Sequence, residues 1–251
     1  MIDKATRIST GTDELAVDIT EGKDPTVLWL SGFRSDMTGS KAVHLAQWGR
    51  RTGQRVVRFD YRGHGASSGR FENFVLSDWL ADAQRVADEF CPGPTIAVGS
   101  SMGGWIALLL ARIRRAAGRP LTGLVLLAPA ADFTERLMWP SLPDTLKEAV
   151  ERDGVAHLPS PYGEPTPITR RLFQDGRQHL LYTDAPIETG CPVHILQGVA
   201  DPDVPYGHAL ELVDRLAHDD VVVTLVKDGD HRLSRDEDLV RLIAAVEGIM
   251  A

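Results

Sequence analysis

The 251 residues carry 27 Lys and Arg against 35 Asp and Glu, a net charge of −8 at neutral pH. Such a balance repels phosphate backbones, so nucleic acid is not an expected partner, and the basic stretch at 112–115 reads as a solvated helix end. With two cysteines, 43% hydrophobic and 25% charged residues, the chain is an ordinary globular one, which excludes a disulfide scaffold, a cysteine zinc site and wholesale disorder.

Met1-Ile2-Asp3-Lys4 lacks the apolar stretch of a secretory signal, and the longest apolar run, Trp105 to Ala111, is far shorter than a bilayer span. A soluble, cytoplasmic protein without an integral membrane segment is therefore expected. Residues 7–20 predict an antiparallel hairpin. Strands are predicted over 26–30, 55–59, 95–98, 121–127, 193–197 and 221–226. Helices are predicted over 39–51, 76–90, 102–115, 206–217 and 235–250. Strands rich in Val, Ile and Leu, without polar alternation and separated by helices, imply a parallel sheet covered on both faces. The chain reads as one α/β domain over 1–251.

One segment, 130–186, breaks the rhythm. It holds Pro140, Pro143, Pro159, Pro161, Pro165 and Pro167, and proline ends helices and is excluded from central strands. It also carries Phe133, Leu137, Met138, Trp139, Leu142, Tyr162, Leu172 and Phe173. The segment is either an irregular surface insertion or a partly helical cap over a pocket, and its apolar content favours the cap.

Gly-x-Ser-x-Gly occurs at Gly65–Gly69 and again at Gly99-Ser100-Ser101-Met102-Gly103. The chemistry associated with the pattern needs a serine on a sharp turn between strand and helix, with glycines relieving the crowding. Gly99 follows a predicted strand and Met102 opens a predicted helix, so Ser101 fits. Ser67 lies in a polar loop and does not. Gly63-His64-Gly65 resembles the start of a dinucleotide fingerprint, but the third glycine position is Ser68 and no acidic residue ends the next strand. Walker A and His-Glu-x-x-His sequences are absent, so phosphoryl transfer and zinc hydrolysis lack their residues.

A serine nucleophile needs a base, and the base needs an orienting carboxylate. After a middle-strand serine both should follow later strands, acid first. Of eight histidines, His231 follows the last strand in a turn-like loop. Asp201 and Asp203 both follow the strand before it. Asp201 is preferred, because Asp203 is placed to cap the next helix. Asp230 adjoins His231 too closely to reach its far nitrogen. The N–H groups of Met102 and Phe33 are the expected oxyanion donors, Phe33 lying in the loop after the first parallel strand.

Phe59-Asp60-Tyr61-Arg62-Gly63-His64-Gly65-Ala66-Ser67, the Ser101 elbow and Gly198 to Pro205 together resemble the α/β-hydrolase superfamily nearly end to end. Met37 to Ala42, Gly99 to Trp105 and Asp230-His231-Arg232 look like the branch holding the mitochondrial acyl-glucuronide esterase, also described as a palmitoyl-protein thioesterase. The resemblance implies an α/β-hydrolase fold, a mostly parallel twisted sheet of about eight strands with helices on both faces and a small cap. It also implies a serine hydrolase of esters or thioesters with no metal and no cofactor, acting on a small-molecule substrate. The branch's mitochondrial address does not carry over. Arg34 departs from the branch and either meets an anionic substrate or points to solvent. Met138, Trp139 and Phe173 are expected to favour medium or long acyl groups. Carbon–carbon or peptide bond hydrolysis by the same triad stays open, as does a non-catalytic ligand-binding homologue.

Overall fold

Aliphatic runs pair where they can bury both faces. The computed structural model describes residues 3–159, 165–216 and 218–251. Pro161 and Tyr162 of the proline-rich segment, and Ala217 at the end of one predicted helix, lie outside the described residues.

The N-terminal hairpin forms as β1 (Asp3–Thr10) and β2 (Asp13–Thr20), antiparallel with Arg7 opposite Ala16. Then come β3 (Lys23–Leu30), β4 (Gln54–Phe59), β5 (Thr95–Ser100) and β6 (Gly123–Leu127). An insertion follows, treated below. It holds the helical turn α4 (Trp139–Ser141), the helices α5 (Asp144–Asp153) and α6 (Arg170–Gly176), and the strands β7 (Val155–Leu158) and β8 (Thr166–Thr169). The sheet is completed by β9 (Val193–Gly198) and β10 (Val221–Val226). The order across the sheet is β1-β2-β4-β3-β5-β6-β9-β10, eight strands in all. β2 runs antiparallel to β4, and from β4 to β10 every pairing is parallel. This is the mostly parallel sheet expected.

Every residue of β5 and β6 is buried, which is why neither shows polar alternation. Alternate side chains go to opposite faces. Leu28, Leu30, Ala97 and Leu126 join one core with Trp79 and Val86 of α2 (Leu76–Phe90) and Trp105 and Ile106 of α3 (Met102–Ala116). Val27, Trp29, Val98 and Leu127 join a second with Leu45 and Trp48 of α1 (Ser40–Thr52) and Leu242 and Val246 of α8 (Asp236–Met250). Each buried Leu, Val or Ile among them contributes roughly 1.5–3 kcal/mol. The helix α7 (Tyr206–Arg215) packs Ala209 and Leu212 into the first core. Among the described residues, no helix is long and apolar enough to cross a membrane. Cys91 and Cys191 are buried and unbridged.

The insertion between β6 and β9 has a small core of its own. A π turn at Thr134–Met138 runs into α4, then α5 leads to an antiparallel ribbon of β7 and β8 and on to α6. The ribbon was not expected. Pro167 argues against a strand, but in a two-stranded ribbon both strands are edges, and there proline is tolerated. Leu142, Val150, Ala156, Ile168 and Phe173 pack together, with Trp139 edge-on to Phe173 at 4.9 Å between ring centroids. Much of the segment's apolar content is thereby accounted for. Asp132, itself buried, closes the segment by accepting the N–H groups of Leu181 (2.8 Å) and Tyr182 (2.8 Å). Ser77 of α2 bonds Asp175 of α6 through both its N–H (2.8 Å) and its hydroxyl (2.7 Å).

Candidate active site

β5 delivers the chain to Ser101 and α3 starts one residue later, so the turn between them has no slack. Ser101 holds φ 55° and ψ −119°, a conformation that costs a non-glycine residue on the order of 1–3 kcal/mol. Its N–H donates to Leu127 (2.9 Å) and its carbonyl accepts from Gly104 (2.8 Å) and Ala130 (3.1 Å), which locks the turn. The flanking glycines supply room. A Cβ at Gly99 would lie 2.3 Å from the Gly103 carbonyl oxygen, and one at Gly103 would lie 2.0 Å from that of Leu30. The strained turn therefore stands the Ser101 hydroxyl above the sheet.

The loops after β9 and β10 bring up the partners. His231 Nε2 lies 3.1 Å from the Ser101 hydroxyl, and Nδ1 lies 2.8 Å from Asp201 Oδ2. Asp201 Oδ1 accepts the N–H groups of Asp203 (2.8 Å) and Val204 (2.9 Å), and Gln197 donates to Oδ2 at 3.3 Å. Burial by itself would push this carboxyl up. The His231 bond and the two amides more than offset it and hold the group below its usual range. Asp201 is fully enclosed at its side chain, whereas His231 keeps 24% of its own exposed toward the cleft. Of the two aspartates weighed, it is Asp201 whose carboxylate meets His231, and the capping role expected of Asp203 is not taken up. Helix α7 starts behind Pro205 with no side-chain cap, and Asp203 is exposed. Asp230 accepts the N–H groups of Arg232 and Leu233, both at 3.0 Å, and shapes the His231 turn.

The competing Gly-x-Ser-x-Gly motif is a pin. Ser67 donates its hydroxyl to the Asp60 carbonyl (2.6 Å) and accepts the Ala16 N–H (2.8 Å), tying the loop to β2.

Met102 is the first residue of α3, so its N–H has no acceptor within the helix. The Gly32-Phe33 loop runs against the elbow: a Cβ at Gly32 would lie 3.4 Å from that of Ser101. Among the described residues no backbone acceptor takes the Phe33 N–H. The loop that carries Phe33 and the start of α3 at Met102 thus both adjoin the serine.

Two clefts meet at Ser101, His231 and Phe33. The larger, about 770 Å³, is walled by Ala130, Phe133, Leu137, Met138, Leu158 and Val204. The smaller, about 230 Å³, mixes Trp29 and Phe33 with the polar side chains of Ser35, Asp36, Lys41, Arg232 and Ser234. Lys41 donates to the Arg232 carbonyl, and burial lowers its ammonium to about 8. Of the four residues expected to meet substrate, Met138 lines the larger cleft. Trp139 and Phe173 instead pack on each other in the core of the insertion, and Phe173 is buried. Arg34 lies in neither cleft; its guanidinium sits 5.0 Å over the Phe71 ring and is exposed, the solvent-facing alternative. Among the described residues, Asp201, Asp203 and His231 are a group whose potential metal-ligand atoms lie within 4.8 Å of one another. Both oxygens of Asp201 and the Nδ1 of His231 already hold the bonds given above, which favours a proton relay over ion binding.

Residues 27–245 match the model of a family described as "Alpha/beta hydrolase family". The chain belongs to the alpha/beta hydrolase family. The hydrolase is 33% identical to the human protein named palmitoyl-protein thioesterase ABHD10, mitochondrial, over 94% of this chain and 76% of that one. It superimposes on a putative hydrolase from Agrobacterium vitis S4 with a TM-score of 0.93 and 45% identity, covering 100% and 99% of the two chains. Mouse alpha/beta hydrolase domain-containing protein 10 gives a TM-score of 0.87 at 30% identity, with 98% of each chain covered. The branch resemblance read from the motifs agrees with these relatives.

Sequence reasoning missed Gln197 and Lys41. Gln197 and Lys41 act on the site through partners across a turn or on another element.

Proposed function

We propose that this hydrolase cleaves carboxylic esters or thioesters through an acyl-enzyme on Ser101. The observation that carries the reading is His231 bridging Ser101 and Asp201 with its two different ring nitrogens. With Asp201 ionised, Nδ1 keeps its proton and Nε2 is left as the acceptor. The Ser101 oxygen attacks the acyl carbon while Nε2 takes its proton. The negative charge moves to the carbonyl oxygen, between the N–H groups of Phe33 and Met102. Collapse breaks the acyl–oxygen or acyl–sulfur bond, and the imidazolium protonates the departing alkoxide or thiolate. Water, deprotonated by His231, then attacks the acyl-enzyme, releasing the acid and restoring the serine. Asp201 holds the imidazolium throughout. Removing one oxyanion donor typically costs about 3–4 kcal/mol of transition-state stabilisation.

A fluorophosphonate probe should label Ser101, and Ser101→Ala should lose both labelling and hydrolysis of a chromogenic short-chain ester. Activity retained in Ser101→Ala, or no adduct on the wild type, overturns the proposal. The apolar wall of the larger cleft, with Phe133, Leu137 and Met138, fits the acyl side, and the smaller cleft, with Ser35, Asp36 and Lys41, fits the leaving group. Each buried methylene is worth about 0.8 kcal/mol, so kcat/KM should rise about fourfold per methylene from acetate until the cleft is filled. A p-nitrophenyl ester series with its best turnover at acetate would remove the acyl assignment.

A further inference from the structure

The loop after β4 carries Asp60-Tyr61-Arg62-Gly63-His64-Gly65-Ala66-Ser67, none of which the proposed chemistry uses. Its ends are fastened. Ser67 bonds Asp60 and Ala16, and Asp60 accepts the N–H groups of Met37 (2.7 Å) and Ala66 (2.8 Å). His64 is only 4% exposed, and its ring stands edge-on to Phe71 (5.0 Å), Trp79 (5.2 Å) and Tyr61 (5.8 Å). In such a cluster a phenylalanine or leucine would be less costly unless both ring nitrogens are used. Both are used. Nε2 accepts the backbone N–H of Arg34 at 3.3 Å, and Nδ1 meets the Arg62 carbonyl at 3.3 Å. An N–H pointing at Nε2 requires that nitrogen to be bare, so Nδ1 carries the proton and donates to Arg62.

The amide held in this way is the one directly after Phe33. Arg34 stands at φ 60°, a left-handed conformation that a non-glycine residue keeps only where its surroundings hold it. The Phe33 ring packs on the same Phe71 (5.0 Å) and Trp79 (5.9 Å) that enclose His64. Loop and ring therefore share one aromatic cluster, with a single main-chain bond from the ring to the turn.

We infer that His64 is a positioning residue for the oxyanion site: by accepting the Arg34 N–H it fixes the left-handed turn and aims the Phe33 N–H at the acyl oxygen above Ser101. The inference rests on the serine-hydrolase reading. An oxyanion exists only along the reaction path, so loosening its donor lowers kcat and leaves KM nearly unchanged.

The experiment compares His64→Met, which keeps apolar volume without the acceptor, with His64→Gln, whose amide oxygen reaches the Nε2 position. On p-nitrophenyl butyrate, His64→Met should lose roughly 10- to 100-fold in kcat with KM within about threefold. The Ki of a trifluoromethyl ketone should weaken by the same factor. His64→Gln should stay within about threefold of wild type on each measure. A kcat for His64→Met within about threefold of wild type, or a loss that His64→Gln does not recover, overturns the inference. Should His64→Met fail to fold, His64→Asn decides, because its amide reaches Arg62 and not Arg34. It should show the same kcat loss, and a wild-type kcat overturns the inference. Fluorophosphonate labelling of the wild type separates the two readings. A labelled wild type beside an unimpaired variant sinks the role of His64 alone, whereas an unlabelled wild type sinks the serine chemistry and this role with it.

Discussion

At Gly103 a hydrogen in place of a methyl group lets α3 start against β3. The Cβ of an alanine there would lie 2.0 Å from the Leu30 carbonyl oxygen and 2.7 Å from that of Ser31, both backbone atoms with nowhere to go. Gly103→Ala should cost about 3 kcal/mol or more, lowering Tm by about 6–12 °C in a chain of this size, together with hydrolysis. Gly207→Ala is the contrast. Nothing lies within 4 Å of its missing Cβ, and it sits in α7, so the change should be neutral or slightly stabilising. Differential scanning calorimetry of the two variants checks both. This requirement for space is legible in the sequence, because the elbow demands particular residue types at fixed offsets. His64 is not legible in the same way. Its partner is an amide thirty positions earlier, and no local pattern says which amide a ring will meet.

Strands and helices follow from periodicity where the chain repeats a simple plan. The helix at Leu76–Phe90 and the strand at Val221–Val226 fall where the pattern places them, and the other predicted strands and helices of the sheet layers shift by a few residues at their ends. The insertion departs from that plan: Pro167 argues against a strand by residue type, yet it pairs in the ribbon of β7 and β8, where both strands are edges. Its attachment to the body is a tertiary matter. Asp132 is 1% exposed, burial raises its carboxyl above the usual range, and the amides of Tyr182 and Leu181 oppose that rise. Asp132→Ala strands both N–H groups without an acceptor and should cost about 3 kcal/mol in urea denaturation. It should also raise KM for longer acyl esters, since the next residues, Phe133, Leu137 and Met138, wall the larger cleft. Asp132→Asn, which keeps one acceptor oxygen, should lose less. Unchanged stability in Asp132→Ala would show that the insertion is held by its apolar contacts alone.

For the molecule as a whole, acid stability joins the site to the fold. Burial pushes the His64 imidazole down to about 4, with Arg34 adding to the effect while the Arg62 carbonyl and Asp36 oppose it. The unfolded ring titrates near 6.5, so between 4 and 6.5 the unfolded chain binds more protons and stability rises with pH. The contribution is complete above 6.5 and is lost as the pH falls toward 4. His64→Gln lacks it. The stability of the wild type relative to His64→Gln should therefore fall by about 3 kcal/mol from pH 7 to pH 4, measured by denaturant titration at each pH. A constant difference would place the ring's titration elsewhere.

The layered α/β plan, the strained turn at Ser101 and the candidacy of Asp201 and His231 can all be read along the chain. Each depends on residue type, spacing or order along the chain, and local sterics and backbone hydrogen bonding act over those distances. Three features follow from long-range packing alone: the amides of Asp203 and Val204 grip Asp201, Trp139 and Phe173 pack on each other instead of lining the two clefts at Ser101, and Arg34 lies over Phe71. Those outcomes depend on which surfaces meet once the sheet has twisted and the insertion has packed, and contacts between remote segments leave no periodicity in the chain that makes them.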